Sequence, residues 1–184
     1  MLNSHDIFNR FPELANSDPD SGKKLLSWRV HLLPFLEQNA LYKQFHLDEA
    51  WDSPHNKALL AKMPNVFNSP TANLEGGLTT YLAVTGPGTV FESGKGKSFR
   101  DIPDGTINTL LVVEVNADAA VPWTKPEDFT PNESDIWTGI GQANEGGFHA
   151  AFCDGSVRFI TSQLDADVLK AIMTRAGAEV IPRW

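Results

Sequence analysis

Residues 148–160 read FHAAFCDGSVRFI, from Phe148 to Ile160. The Asp154-Gly155 pair stands between two runs of aromatic and β-branched residues, a strong short-range signal for a β-hairpin. A two-residue type I′ turn at that pair sets Cys153 against Ser156, Phe152 against Val157 and Ala150 against Phe159. One face then carries Phe148, Ala150, Phe152, Val157 and Phe159. The other carries His149, Ala151, Cys153, Ser156, Arg158 and Ile160, with His149 opposite Ile160. That is the pattern of a half-buried hairpin. His149, Cys153 and Asp154 resemble a reactive cluster, but residues four apart in a strand lie about 13 Å apart, so His149 is out of reach of Cys153. A lone strand cysteine reads as a small buried hydrophobe, and one cysteine permits no intramolecular disulfide.

Moving outward, Asp165 caps a helix whose apolar stripe is Val168, Leu169, Ile172, Met173 and Ala176, with Gly177 placed to end it in left-handed conformation. Upstream, residues 109–115 (TLLVVEV) form a near-continuous apolar run, which predicts a central strand. Residues 79–85 (TTYLAVT) predict another, stopped by Gly86-Pro87-Gly88, and Asp104-Gly105 after Pro103 marks a turn. Residues 117–147 read as a long polar loop. In the first part, Ser27 caps a helical stretch with Trp28, Leu32, Leu33, Leu36, Leu41 and Phe45 on its apolar side, kinked at Pro34. Asp52 and Ser53 cap a further helix that starts at Pro54 and runs to about Lys62, with Trp51 packing beside it. Residues 1–27 are irregular, apart from helical turns over residues 1–9 with Leu2, Ile7 and Phe8 on one side. Helical segments beside an antiparallel sheet and a C-terminal helix make the fold class α+β.

The formal charge is -8 over 184 residues. Residues 1–100 hold 10 acidic and 10 basic side chains and residues 101–184 hold 13 and 5, so the excess lies in the second part. An acidic surface repels phosphate backbones, which excludes a nucleic-acid binder. No apolar run reaches the length of a membrane span.

Candidate chemistry is sparse. His46, Asp48, Asp52 and His55 match no zinc spacing. The Gly94-Lys95-Gly96-Lys97-Ser98 run has Phe91 where a phosphate loop needs glycine, and it reads as a flexible solvent loop. No Gly-x-Ser-x-Gly elbow occurs. Glu114, inside an apolar strand, either faces solvent or pairs with an arginine; the competing reading is a buried, tuned carboxylate. Glu127, Asp128, Asn132, Glu133 and Asp135 are either a solvated acidic loop or the oxygen ligands of a calcium ion. Trp123 and Trp137, with Glu127 near them, are candidate stacking platforms for a solute.

The order of the segments SWRVHLLPFLEQNALYKQFHLDEAWDSPHNKALLAKMP, TTYLAVTGPGTVF, DIPDGTINTLLVVEV, VPWTKPEDF and GGFHAAFCDGSVRFI resembles the bacterial domain-of-unknown-function 1559 family, also labelled a solute-binding group. Within it, Trp51 to His55, Asp104-Gly105 and Asp154-Gly155 are motif positions of this sequence. The family looks related to type IV pilins and type II secretion pseudopilins, with a long apolar N-terminal helix before a globular head. The resemblance implies that residues 1–184 are a single pilin-like head without that helix. It implies an extracytoplasmic place in the periplasm or at the cell surface, membrane anchoring through the helix this chain lacks, and partners among pilin-like or secretion proteins. The expected function is non-enzymatic, acting through protein contacts, with no cofactor unless calcium. Binding of carbohydrate or another small solute is the alternative, and a hydrolase using Glu114 or His55 the weaker one. The chain departs from the family's pattern twice: a histidine position falls on Asn144, and a Cys-Pro position falls on Ser69-Pro70.

Overall fold

The computed structural model of the chain describes residues 1–182. In chain order the regular elements are α1 (Leu2–Phe8), β1 (Ala15–Ser17), β2 (Lys24–Ser27), α2 (Trp28–His31), α3 (Asn39–Tyr42), α4 (Pro54–Lys57), β3 (Leu78–Thr79), β4 (Tyr81–Ala83), β5 (Leu110–Glu114), β6 (Val121–Pro122), β7 (Gly147–Phe152), β8 (Val157–Thr161) and α5 (Ala166–Met173). Single 3-10 turns link many of them. The fold is α+β, as the segment order predicts. Four antiparallel strands in the order β4-β5-β7-β8 form the main sheet, and β1-β2 and β3-β6 form two small ladders. No helix among the described residues is long and apolar enough to cross a membrane.

The sheet is covered on both faces. One face carries Leu82, Leu110, Val113, Phe148, Ala150, Phe152 and Ile160, packed with Leu169, Ile172 and Met173 of α5 and with Ile136 and Ile140. The other face contributes Ala83, Leu111 and Cys153 to a second cluster with Trp28, Val30, Leu33, Phe45, Phe67 and Trp123. β4 and β5 thus bury side chains on both sides, which is why TLLVVEV reads as continuous rather than alternating. The bulge between Leu110 and Val112 sets Leu111 and Val112 against the same cluster, with Leu110 and Val113 in the other.

The β7–β8 hairpin exists, but its register differs by one residue from a two-residue turn. Ala151 pairs with Val157, Ala150 with Arg158, His149 with Phe159 and Phe148 with Ile160. The Phe152 amide donates to the Ser156 carbonyl at 2.9 Å and the Gly155 amide to the Phe152 carbonyl at 3.0 Å, with Gly155 at φ 87°. That is a three-residue connection closed by a left-handed glycine. Asp154 Oδ1 holds the turn by accepting from the Ser156 amide at 2.9 Å and its hydroxyl at 2.7 Å. The slip leaves β7 as expected but turns every side chain of β8 over. Ile160 is fully buried, while Val157 and Phe159 are 66% and 44% exposed.

Other expectations change for local reasons. The stretch after Ser27 is a chain of single turns, because Pro34 interrupts it and Glu37 takes a left-handed conformation at φ 60°. Residues 15–27 form the β1–β2 hairpin, closed where Asp18 Oδ1 accepts from the Asp20 and Ser21 amides. α1 buries Ser4 and His5 and leaves Ile7 and Phe8 exposed, the reverse of the expected stripe. α5 ends at Thr174 in extended conformation, and Ala178 rather than Gly177 has positive φ. The run 94–98 is tied down: the Leu14 amide donates to the Gly94 carbonyl and the Phe11 amide to the Lys97 carbonyl. A Cβ on Gly96 would lie 2.3 Å from the Phe11 carbonyl oxygen, so this glycine allows two backbones to meet. Residues 117–147 bury Val121, Trp123, Phe129, Ile136 and Ile140, so this stretch is a packed wall rather than a polar loop.

Ser53 and Pro54 start α4 as expected, with Ser53 Oγ accepting from the Asn56 amide at 3.2 Å. The α-helix stops at Lys57, and a separate 3-10 turn covers Leu60–Lys62. Asp52 makes no cap there; Trp51 lies half-buried with Lys125 5.8 Å from its ring centre. Asp104 accepts from the Gly177 and Ala178 amides at 2.8 and 3.1 Å, and Gly105 sits at φ 92° in the turn.

Candidate functional site

Strand register assembles the site. Tyr81 of β4 faces Glu114 of β5. One step beyond the Val113–Ala150 pair, His149 of β7 falls opposite Glu114, and His149 in turn faces Phe159 of β8. One row across all four strands therefore reads Tyr81, Glu114, His149, Phe159. The neighbouring row on the same face reads Ala83, Val112, Ala151, Val157. Small side chains in this second row leave depth beside the polar first row. The hollow is a cleft of about 560 Å³, lined by Val112, Ala151 and Val157 from the sheet and by Val66, Phe67, Pro70 and Thr71 from the segment above it.

Glu114 is 3% exposed and stands at the polar end of this cleft. Its Oε1 accepts from the Ser69 hydroxyl at 2.7 Å, and its Oε2 accepts from Asn144 Nδ2 at 2.7 Å. His149 Nδ1 lies 3.2 Å from the same Oε2 and donates to it when it carries the ring proton. Ser69 is held by Thr71, whose Oγ1 is 3.1 Å away. Asn144 is aimed by a tight turn in which its amide and carbonyl both bond to Gly147. Burial and then the Glu114 charge push the Tyr81 phenol above its ordinary range. Glu114 thus neither faces solvent nor pairs with an arginine: it is a buried carboxyl held by a hydroxyl, an amide and an imidazole.

The order of these groups limits their chemistry. In a Ser-His-acid relay the imidazole stands between hydroxyl and carboxylate. Here the carboxylate stands between Ser69 and His149. His55 lies elsewhere, its ring stacked on His46 at 3.5 Å and its Nε2 2.7 Å from the Gln44 carbonyl. Cys153 is fully buried, and burial followed by the Asp154 charge pushes its thiol up to about 12.

The residues of the 123–137 stretch go elsewhere. Trp123 is fully buried, stacked on Phe67 at 5.8 Å, with its indole N–H donating to the Leu60 carbonyl at 3.0 Å. It has no open face and is a core residue, not a platform. Trp137 is half-buried and meets Phe148 edge-on at 6.2 Å. Asp128 turns inward: its Oδ1 accepts from the Trp28 indole and the Ala83 amide, both at 2.9 Å, and lies 3.5 Å from Arg29. Glu127 pairs with Lys125. Asn132 accepts from the Ser134 amide, and Asp135 from the Trp137 amide and the Thr138 hydroxyl. Glu133 lines a different hollow, with Lys170 and Met173. The five oxygen-bearing residues are not brought together, and no group of three or more His, Cys, Asp or Glu suited to a metal ion occurs among the described residues.

Sequence reasoning singled out Glu114, His149, Asn144 and Ser69 separately, but not their convergence. The signal available was Asn144 and Ser69 as the two departures from the family's pattern: both donate to Glu114. Tyr81 and Thr71 had no signal beyond strand pairing and chain proximity.

The sequence matches the model of the family described as "Protein of unknown function (DUF1559)" over residues 1–89 and 136–167. This is well over half of the chain, and the chain belongs to that family. The matched stretches include Ser69, Tyr81, Asn144 and His149; Glu114 lies between them. No curated protein and no solved structure matches the chain.

Proposed function

We propose that this DUF1559 member is a non-enzymatic binding head whose Glu114 cleft takes a small solute. The observation that carries this reading is the junction of a buried, fully oriented carboxylate with an apolar hollow of about 560 Å³. Small-molecule sites are typically apolar clefts of roughly 300–1,000 Å³ with a few convergent polar groups. A non-catalytic role is supported by the order Ser69–Glu114–His149, which leaves the hydroxyl without an imidazole base.

A second reading, a pilin-like head acting through extracytoplasmic protein contacts, is favoured by a different surface. Ile7 and Phe8, 67% and 62% exposed, stand together on α1 beside a hollow lined by Phe8, Phe35 and Tyr42.

The cleft reading is tested by thermal unfolding against a panel of sugars, amino acids, amines and alcohols. At least one solute is expected to raise the melting temperature of the native chain and not of Ala151→Trp, whose indole fills the hollow. A solute that stabilises both equally binds elsewhere, and a panel without effect on either removes the reading.

A further inference from the structure

We infer that the solute is an organic cation, with a primary ammonium seated at Glu114 and an apolar body lying along Val112, Ala151 and Val157. This rests on the reading of the cleft as a solute site and names the chemistry it selects. Four observations lead to it.

First, the Glu114 carboxyl is held by two neutral groups and a half-exposed imidazole. Among the described residues no lysine or arginine pairs with it; its ion-pair partner is His149, whose side chain is 50% exposed. Ser69 and Asn144 supply neutral hydrogen bonds, which orient a carboxylate without neutralising it. Second, a carboxylate accepts about four hydrogen bonds, and the side chains around Glu114 supply three, two of them to Oε2. The His149 contact, at 3.2 Å, is longer than the 2.7 Å bond from Asn144. It is the contact an incoming ammonium displaces, as the half-exposed ring turns outward. Third, the polar groups gather at one end of the cleft while Val112, Ala151, Val157, Val66 and Phe67 line the rest. A sugar needs polar partners along its length and finds them only at that end. An anion meets the like charge of Glu114, on a chain whose formal charge is already -8. A metal ion finds a single carboxylate and no gathered ligand set among the described residues. Fourth, Tyr81 pairs with Glu114 in the same row and lines the cleft, which places an aromatic ring beside a cation seated there.

The test titrates benzylamine, benzyl alcohol and benzoate into the 184-residue chain, following the methyl signals of Val112, Ala151 and Val157 by NMR. Benzylamine is expected to bind at least about tenfold more tightly than benzyl alcohol, as a charge-assisted bond requires, with benzoate weakest. Glu114→Gln is expected to bring the amine down to the level of the alcohol. If Glu114→Gln does not fold, the amine-to-alcohol ratio in the native chain, and its decline with added salt, carry the test. An alcohol that binds as tightly as the amine, or a ratio unchanged in Glu114→Gln, overturns the cation inference and leaves the cleft reading standing. If none of the three probes moves the cleft signals and the wider solute panel is also without effect, both fall.

Discussion

Asn56 is fully buried and acts as a hub for the segment before it. Its Oδ1 accepts from the His46 amide at 3.1 Å, and its Nδ2 donates to the carbonyls of His46, Glu49 and Ala50 at 2.9, 3.2 and 3.2 Å. The side chain thereby substitutes for secondary structure across residues 46–50. Asn56→Ala strips these backbone groups of their partner in a buried place, a cost of about 2–4 kcal/mol. Equilibrium denaturation is expected to show that loss, and a loss below about 0.5 kcal/mol would show that water replaces the amide at no cost. Sequence reasoning found the neighbours of Asn56 and not Asn56 itself. Ser53-Pro54 announces a helix start through local chemistry, whereas a buried amide that bonds distant carbonyls has no local signature. Trp123 was legible as important but not as buried, because a large aromatic among polar residues suits a ligand platform and a core equally well. Glu114 was legible as anomalous, since a carboxylate inside VVEV must find partners. Which partners it found depended on two further strands and on the segment carrying Ser69.

The β7–β8 hairpin shows the same boundary at the scale of an element. Asp154-Gly155 between alternating runs made the hairpin legible, and β7 faced as expected. The loop length did not follow from the dipeptide, because Asp-Gly serves both a two-residue turn and a three-residue turn closed by a left-handed glycine. The structure takes the second, which buries Ile160 and exposes Val157 and Phe159. The consequence reaches the candidate site, since only this register places Val157 in the cleft lining and Phe159 opposite His149. Gly155 is where the element is most open to challenge. Its φ of 87° opposes a β-branched side chain, and a Cβ there would lie 2.4 Å from Leu2 Cδ1. Gly155→Val is expected to cost about 2–3 kcal/mol and Gly155→Asn about 1 kcal/mol or less, because asparagine tolerates positive φ. The denaturant midpoints of the two variants measure the difference. If they coincide, steric contact with Leu2 rather than backbone conformation governs the position. The one-turn helices of residues 28–42 were harder to read, since apolar spacing over a few residues fits broken turns as well as one continuous helix.

At the scale of the whole molecule, one sheet separates two apolar clusters, and residues 11–14 and 175–178 are stitched back to the middle of the chain. The α+β class followed from the order of helical and strand patterns, and the central place of β5 from its unbroken apolar run. The packing of residues 117–147 against the sheet edge did not, because Phe129, Ile136 and Ile140 are spaced among Pro and Gly with no period. On the C-terminal side the stitching runs through Arg175. Arg175 Nη2 lies 3.1 Å from Glu92 Oε2, its Nη1 donates to the Asp101 carbonyl at 3.2 Å, and its amide donates to the Gly88 carbonyl. Arg175 holds the Glu92 carboxyl below its ordinary range, and the Ser98 amide does the same for Asp101. Burial lowers the pKa of His31. Each of these groups has a folded-state pKa below its unfolded value, so its contribution is complete above the unfolded value and is lost as pH falls through the folded one. Asp128 runs the other way: burial, outweighing Arg29, raises its carboxyl, so its contribution declines as pH rises through the folded value. The groups on the stitched segments and His31 therefore set the acid limb. Below about pH 6.5 stability is expected to fall as the unfolded His31 protonates, and to fall further below about pH 4 with the carboxylates. Urea midpoints measured from pH 8 to pH 3 follow this course. His31→Gln, which keeps a hydrogen-bonding side chain near Asn16, is expected to abolish the first decline and keep the second. A native chain whose midpoint does not change between pH 7 and pH 5 would show that His31 stays solvated enough to titrate as it does unfolded.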